Sequence, residues 1–165
     1  MEEVFVEKII KRKTGIKEGL LRLLSIFVVI FVFLLTIRFG MLGITITILL
    51  GYGAYMVWSY TSIEYEYSFL NGELTIDKIM GQRKRKTIKC FDIKQAEIIA
   101  PSSSDDIIRR NDAVKVYDYS SGYKSDKLYT MIMNDGEGIV RIVFEPDERI
   151  IDAMYHVRPN IVKRV

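Results

Sequence analysis

The chain has 165 residues, of which 49% are hydrophobic and 27% are charged, with 24 Lys and Arg against 21 Asp and Glu. This length allows one folded domain with accessory segments. The single Cys excludes an intramolecular disulfide framework and a Cys-rich zinc site. Apolar residues are concentrated in residues 23–63, which contain one charge, Arg38. This segregation argues against both a purely soluble chain and a disordered one.

The first 22 residues mix apolar groups with basic residues. Six Lys and Arg side chains against four Glu side chains give this segment a net charge of +2. One interpretation is a basic amphipathic segment over residues 1–22, helical and lying on the inner leaflet of a membrane. Gly15 would weaken such a helix near its middle. The other interpretation is that these charges only set membrane topology, and the sequence leaves both open.

Two apolar runs follow, separated by Arg38-Phe39-Gly40. The run from Leu23 to Ile37 has 15 uncharged residues and would span ~22 Å as a helix. The run from Phe39 to Ile63 has 25 and would span ~37 Å. The two runs predict a transmembrane helical hairpin with helices at about 20–37 and 41–60. A buried hairpin in a soluble core fits less well, because a domain of this size would hardly cover two such helices.

Small and aromatic residues are placed regularly in the second predicted helix. Gly43, Thr47 and Gly51 recur every four residues, so this stripe would allow the first helix to approach closely. The same stripe would alternatively face a second copy of the protein. An interfacial belt is predicted toward the end of the helix, because amphipathic rings favour the boundary between membrane and water. Its residues are Tyr52, Tyr55, Trp58 and Tyr60.

The distribution of basic residues predicts the orientation. The N-terminal flank is basic, and Arg83-Lys84-Arg85-Lys86 follows the hairpin, whereas the connecting turn offers only Arg38. The positive-inside rule therefore predicts a multi-pass protein of the plasma (cytoplasmic) membrane with both termini in the cytoplasm. The free Cys90 is consistent with a reducing compartment.

Alternation replaces the long apolar runs from Glu64 onward. Residues 64–165 carry 17 basic and 17 acidic groups, and they predict a cytoplasmic domain of seven short strands and one helix. The predicted strands cover residues 63–69, 74–80, 84–91, 94–100, 113–119, 127–134 and 139–144. A Ser/Gly-containing turn at 120–125 joins the fifth and sixth strands as a hairpin. Pro146 and an apolar face at helical spacing predict a C-terminal helix over about 146–157.

The stretch from Tyr65 to Ile99 resembles the opening of bacterial pleckstrin-homology-like (PH-like) domains. The residues that carry the resemblance are Gly72, Leu74, Ile76, Asp92, Ile93 and Ile98. The resemblance implies an α+β membrane protein in which a seven-stranded antiparallel PH-like barrel or sandwich, closed by a C-terminal capping helix, follows two transmembrane helices. It brings no catalytic residues, and it suggests binding or scaffolding rather than a particular activity.

The densest basic cluster surrounds the predicted second turn of this domain. It comprises Lys78, Arg83, Lys84, Arg85, Lys86 and Lys89. One interpretation is contact with anionic lipid headgroups or with a partner, because basic residues near a leaflet are attracted to it. The other is a solvated edge strand on which Lys and Arg prevent edge-to-edge pairing. In phosphoinositide-binding PH domains the basic residues flank the first turn, whereas here the turn at Asn71-Gly72 has none.

The remaining polar residues favour structural roles over catalysis. His156 has no second His as a metal partner, and Cys90 lies among apolar neighbours that indicate a small core residue. Asp105-Asp106 and Asp147-Glu148 suit the starts of helices. We therefore predict no enzyme activity, no catalytic or metal-binding residues, no cofactor and no small-molecule substrate. Tyr117, Tyr119, Tyr123 and Tyr129 would form either cross-strand pairs or a peptide-binding surface.

Three functions are compatible with these features. The first is a non-enzymatic, membrane-anchored protein whose PH-like domain binds a protein partner or another copy of itself. The second is recognition of an anionic lipid surface through the basic hairpin at 78–89. The third is an accessory subunit of a membrane transporter complex. A nucleic-acid partner is not expected, because the folded domain carries no net positive charge.

Overall fold

The computed structural model describes residues 5–110, 115–136 and 138–164. The chain divides into two compact units. One comprises the described parts of residues 1–12, 64–78 and 85–165, and the other comprises residues 13–63 and 79–84. This division differs from the sequence-based one, which separated residues 1–22 from the β domain and kept 79–84 within it.

The helical unit contains α1 (Ile16–Thr36) and α2 (Gly40–Thr61), both long and apolar enough to cross a membrane. Gly40 separates them, with φ 58° and ψ −133°, a conformation open to glycine. Half-buried residues follow a seam along α1 at spacings of three and four, as expected for two helices packed side by side. Apart from Gly19, they are Glu18, Arg22, Ser25, Val29, Val32 and Thr36. Most other side chains of both helices are exposed apolar groups.

The first sheet has the strand order β1-β2-β3-β4. Its strands are β1 (Val6–Lys11), β2 (Ile63–Leu70), β3 (Glu73–Met80) and β4 (Lys84–Asp92). Strands β1 and β2 are antiparallel, with Val6 opposite Phe69 and Lys11 opposite Glu64. The amphipathic helix expected in the N-terminal segment is therefore wrong for residues 6–11. Alternation explains the strand, because Val6 and Ile10 are buried while Ile9 between them is exposed.

The second sheet has the order β5-β7-β8-β6. Its strands are β5 (Ala96–Pro101), β6 (Lys115–Asp118), β7 (Tyr129–Asn134) and β8 (Ile139–Phe144). The predicted hairpin between the fifth and sixth strands is not formed, because β6 pairs in parallel with β8. Parallel neighbours need a longer connection than a turn. The connection from β6 to β8 includes the segment from Tyr119 to Leu128 and all of β7, and the Tyr119 N–H continues the pairing to the carbonyl oxygen of Val143.

The class α+β is correct, but two details of the predicted fold are not. The described residues form eight strands rather than seven, because β1 was not expected. These strands lie in two four-stranded sheets and not in a closed barrel, since β4 and β5 are not hydrogen-bonded neighbours. The chain turns from β4 into β5 through a 3₁₀ turn at Ile93–Gln95.

The remaining helices are α3 (Asp105–Ile108) and α4 (Glu148–Val157). Asp147 caps α4 by accepting a hydrogen bond from the Ile150 N–H, and Ile150, Ile151 and Met154 are buried. The expected C-terminal helix therefore forms, two residues later than its predicted start. The outer edge of β5 is covered by the chain after α4, because Ile99 exchanges backbone hydrogen bonds with Ile161 and Lys163.

Tyr67 lies at the centre of the β unit and has no exposed surface. Its hydroxyl donates to the carbonyl oxygen of Tyr119 at 2.7 Å and accepts from the Glu145 N–H at 3.3 Å. Burial raises the pKa of Tyr67 far above its ordinary value, so the hydroxyl stays neutral. Its ring meets Phe144 edge to face. One side chain thus connects β2 to the segments that follow β6 and β8.

Candidate functional site

The turn between β3 and β4 is built on two left-handed residues, Gly81 (φ 59°) and Gln82 (φ 57°). The Gly81 N–H donates to the carbonyl oxygen of Ser62 at 3.0 Å, at the end of α2. A Cβ atom at Gly81 would lie 2.8 Å from the carbonyl oxygen of Ser59. The turn backbone therefore packs against the end of α2 so closely that glycine is required there.

Two of the six predicted basic residues, Arg85 and Lys89, form ion pairs within the domain. Arg85 pairs with the buried Glu66 and lies 3.8 Å from the Asp77 carboxylate. Lys89 lies 3.5 Å from the Asp135 carboxylate, and its ammonium stands 5.0 Å from the centre of the Tyr117 ring. These charges are used within the domain.

The other members of the predicted cluster differ in exposure. Lys78 is half-buried on β3. Arg83, Lys84 and Lys86 are exposed, and none of the three forms an ion pair with a described residue. Arg83 and Lys84 belong to the helical unit together with the turn that contacts α2. Among the described residues, the exposed members of this set without an ion pair are therefore Arg83 and Lys84 at the tip of the hairpin and Lys86 further along β4.

Glu66 is a buried carboxylate that the sequence did not indicate. Alternation with the buried Tyr65 and Tyr67 would place it on the outward side of β2, yet it is 2% exposed. Loss of solvation raises the pKa of Glu66, and the neighbouring Arg85 opposes this rise. No signal in the local pattern marks this burial, because it depends on the side chains of the neighbouring strands.

A second polar cluster joins the ends of the two long helices. The Arg22 Nε donates to Thr61 Oγ1 at 2.8 Å, and Arg22 Nη2 donates to Ser62 Oγ at 3.1 Å. The guanidinium lies 4.8 Å from the centre of the Trp58 ring. The sequence indicated Trp58 as an interfacial residue but not this contact. The sequence did contain a signal for this contact. Arg22 directly precedes one apolar run, and Thr61 and Ser62 lie at the end of the other.

The predicted stripe of small residues approaches α1 at one point. Gly43 is buried, and a Cβ atom there would lie 2.8 Å from Thr36 Cα. Thr47 is half-buried, and its hydroxyl donates to the carbonyl oxygen of Gly43. Gly51 has no neighbouring atom within 4 Å of such a position. The aromatic residues of the predicted belt are half exposed or more, with Tyr52 at 63%, Tyr55 at 50%, Trp58 at 51% and Tyr60 at 55%.

Cys90 is exposed, which corrects its interpretation as a core residue. Its sulfur lies 3.5 Å from Thr75 Oγ1 and 3.7 Å from Glu73 Oε2. The reason is strand register, because the next residue, Phe91, takes the buried position on β4. His156 lies in the last turn of α4 beside the Tyr155 ring.

An open cavity of about 540 Å³ lies at the start of α4, and Tyr129 lines it, the one residue of the predicted tyrosine surface that does so among the described residues. Lys8 enters it from β1 and donates to the carbonyl oxygen of Glu145 at 2.9 Å. Partial burial lowers the pKa of Lys8, while Glu145 and Asp147 oppose this shift. The lining carries four acidic and four basic residues, so it offers no net charge to a ligand. These are Asp126, Asp147, Glu148, Asp152, Lys8, Lys127, Arg149 and Arg164.

Sequence comparison identifies the fold family. A family model described as "Bacterial PH-like domain (DUF6106)" matches residues 2–164. The chain belongs to this bacterial PH-like family. The matched range includes both long helices as well as the two sheets, and it confirms the resemblance seen between Tyr65 and Ile99. No curated protein and no solved structure matched this PH-like protein.

Proposed function

We propose that this PH-like protein is a non-enzymatic binding module held at the inner face of the plasma membrane. One observation carries the proposal: the helical pair is inserted between β1 and β2, which pair with each other from Val6–Phe69 to Lys11–Glu64. A membrane pair that leaves from and returns to adjacent strands of one sheet starts and ends on the same side. The basic N-terminal flank favours the cytoplasmic side.

The connections to the helices are short, which supports a role at the membrane surface. Four residues separate Lys11 from Ile16, and Ser62 alone separates Thr61 from Ile63. An extended residue spans at most ~3.6 Å, so the longer of these two connections is at most roughly 20 Å long. Confinement of this kind raises the effective concentration of the domain toward other membrane-bound partners. The mechanism is local concentration and requires no chemical step.

The experiment is photo-crosslinking in living cells with the full chain. A photoreactive amino acid replaces Lys124 or Lys86, two exposed positions of the β unit. We expect a discrete crosslinked species that stays with membranes washed at high pH, either a second protein or a second copy carrying a different tag. A chain released by the wash would contradict the anchor, and the absence of any protein crosslink at both positions would contradict the binding role.

A second candidate, recognition of anionic lipid by the basic hairpin, is favoured by the contact between its turn and α2. Gly81 bonds to Ser62 at the end of an apolar helix, and Arg83 and Lys84 follow within three residues. Each Lys or Arg near an anionic leaflet contributes ~1 kcal/mol. The test compares R83Q/K84Q with R109Q/K124Q, which removes two exposed charges elsewhere. Weaker preference for phosphatidylglycerol nanodiscs in the first variant alone supports this candidate, and equal behaviour contradicts it.

A further inference from the structure

Arg22 carries a charge that no carboxylate neutralises within the described part of the chain. Its three hydrogen bonds go to the hydroxyl groups of Thr14, Thr61 and Ser62. Glu18, one helical turn earlier, points back toward Gly15 instead of toward the guanidinium. A guanidinium has five N–H donors, so donors remain for a further ligand.

The hydroxyl groups around Arg22 are oriented by the end of α2. The Thr61 hydroxyl lies 2.8 Å from the carbonyl oxygen of Val57, and the Ser62 hydroxyl lies 3.0 Å from that of Trp58. Each hydroxyl has one hydrogen, which it donates to a main-chain carbonyl, so its oxygen is left to accept from Arg22. Together with the Trp58 ring, this arrangement fixes the plane of the guanidinium.

This fixed cation stands at the boundary of the apolar segments. Arg22 lies in the second turn of α1, and its partners Thr61 and Ser62 end α2. In a membrane-inserted chain these positions meet the phosphate layer of one leaflet. A planar guanidinium suits phosphate because it can donate two parallel hydrogen bonds. A charged side chain at this depth also requires a counter-charge to offset its loss of hydration.

We infer that Arg22 binds the phosphate of an anionic phospholipid of the inner leaflet, oriented by Trp58, Thr61 and Ser62. This inference rests on the proposed membrane anchor and specifies a lipid site that the anchor alone does not require. The site is made by the two long helices and does not depend on the exposed cations of the β3–β4 turn.

The test is native mass spectrometry of the full chain in mild detergent, titrated with phosphatidylglycerol and, separately, with phosphatidylcholine. We expect preferential binding of phosphatidylglycerol, weakened about fivefold in R22Q, as for the loss of one cation at an anionic headgroup. The matched control is K17Q, which removes an exposed charge of the same helix and should leave binding unchanged. R22K keeps the positive charge but loses the paired N–H donors of the guanidinium, so its binding should weaken about twofold.

Circular dichroism of each variant shows whether its helices are retained. If R22Q loses its helices, R22K replaces it as the test variant. Binding in folded R22Q equal to that of the parent protein would overturn the inference, and so would an equal loss in K17Q. Displacement of phosphatidylglycerol by excess inorganic phosphate would also overturn it, by assigning the site to a soluble anion. The lipid site and the anchor can fail separately. If the protein stays in washed membranes and R22Q binds lipid normally, only the lipid site is refuted. If the protein is released from the membranes, the anchor is refuted.

Discussion

At the residue scale, Gly81 shows how one missing side chain positions a charged turn. Its left-handed backbone is disfavoured for other residues, and the position of its missing Cβ is blocked by the main chain of Ser59. The strands predicted at residues 74–80 and 84–91 imply a turn at this position. Its contact with α2 was not predicted, because the contacting residues are some twenty positions earlier in the chain.

We expect Gly81→Ala to destabilise the protein more than Gly136→Ala. Both glycines have positive φ, so both substitutions incur a backbone cost of about 1 kcal/mol. Only Gly81 also faces a collision, which adds roughly 1–3 kcal/mol, since nothing lies within 4 Å of a Cβ at Gly136. The measurement is the thermal unfolding midpoint of the full chain in detergent. Equal midpoints for the two variants would mean that the turn is not packed against α2.

At the element scale, β1 shows why a mixed sequence was ambiguous. Basic residues between apolar ones suit both an amphipathic helix and an exposed edge strand. Pairing with β2 decides for the strand, because it buries Val6 and Ile10 against the core. The basic residues then lie at the edge or, in the case of Lys8, donate to main-chain oxygens near α4. A strand also explains why Gly15 falls between two elements and not within one.

Ile10→Ala and Ile9→Ala distinguish the strand from the helix. Ile10 is 8% exposed and Ile9 is 53% exposed. We expect Ile10→Ala to lower the free energy of unfolding by about 2–5 kcal/mol, and Ile9→Ala to lower it by less than about 1 kcal/mol. Urea titration of the detergent-solubilised chain, followed by near-ultraviolet circular dichroism, measures both. Similar small effects would indicate that this segment lies outside the domain core.

The N-cap of α4 gives a pH-dependent prediction. Partial burial acts to raise the pKa of Asp147, but the hydrogen bonds from the Ile150 N–H and from Arg149 outweigh it and lower the pKa. The stability contributed by ionised Asp147 is therefore complete above the ordinary aspartate pKa and disappears as pH falls through the lowered value. We expect Asp147→Ala to cost about 1 kcal/mol at pH 7.

The pH titration provides the check on this cap. The difference in unfolding free energy between the parent protein and Asp147→Ala should shrink below about pH 4. The control is Glu148→Ala, which removes an acid from the same first turn but leaves the capping hydrogen bond intact. A difference that persists unchanged at low pH would show that the ionised cap is not its source.

At the scale of the whole molecule, the order of the strands couples the fold to the membrane topology. Because β1 and β2 are antiparallel neighbours, the helical insertion between them replaces what would otherwise be a short loop. Tight turns join β2 to β3 and β3 to β4, so the β3–β4 turn leaves the sheet at the same end as this insertion. The turn at Asn71-Gly72 leaves at the opposite end. Counted from β1, the connections are the helical insertion, the β2–β3 turn and the β3–β4 turn. The basic residues therefore lie at the third connection and not at the second.

Thiol labelling in intact cells tests this topology. Cys90 is exposed on the β unit, so a membrane-impermeant maleimide should label it only after the cells are opened. In the variant R38C/C90S the only thiol lies in the turn between the helices, and it should react in intact cells. Labelling of Cys90 from outside would reverse the proposed orientation. The same accessibility for both thiols would contradict a membrane-crossing pair.

Much of the fold was predictable because its signals are local. Alternation over residues 63–69 and 139–144 indicated β2 and β8, and helical spacing after Pro146 indicated α4. The parallel position of β6 beside β8 was not predictable, since a four-residue strand looks the same whichever neighbour it joins. The same limit applies to the site. Composition identified the basic residues, but only the structure shows that Arg85 and Lys89 form ion pairs while Arg83 and Lys84 form none with the residues described.

By itself the sequence determined the segregation of the chain into two apolar helices and an alternating β region, and it carried the resemblance to a PH-like domain. Those properties depend on consecutive residues, so they can be predicted without knowing which residues are in contact. Only the tertiary structure decided that residues 6–11 complete the first sheet, that Glu66 is buried, and that Arg22 is held by Trp58, Thr61 and Ser62. Each depends on burial and hydrogen bonding between segments far apart in the chain, which no local pattern records.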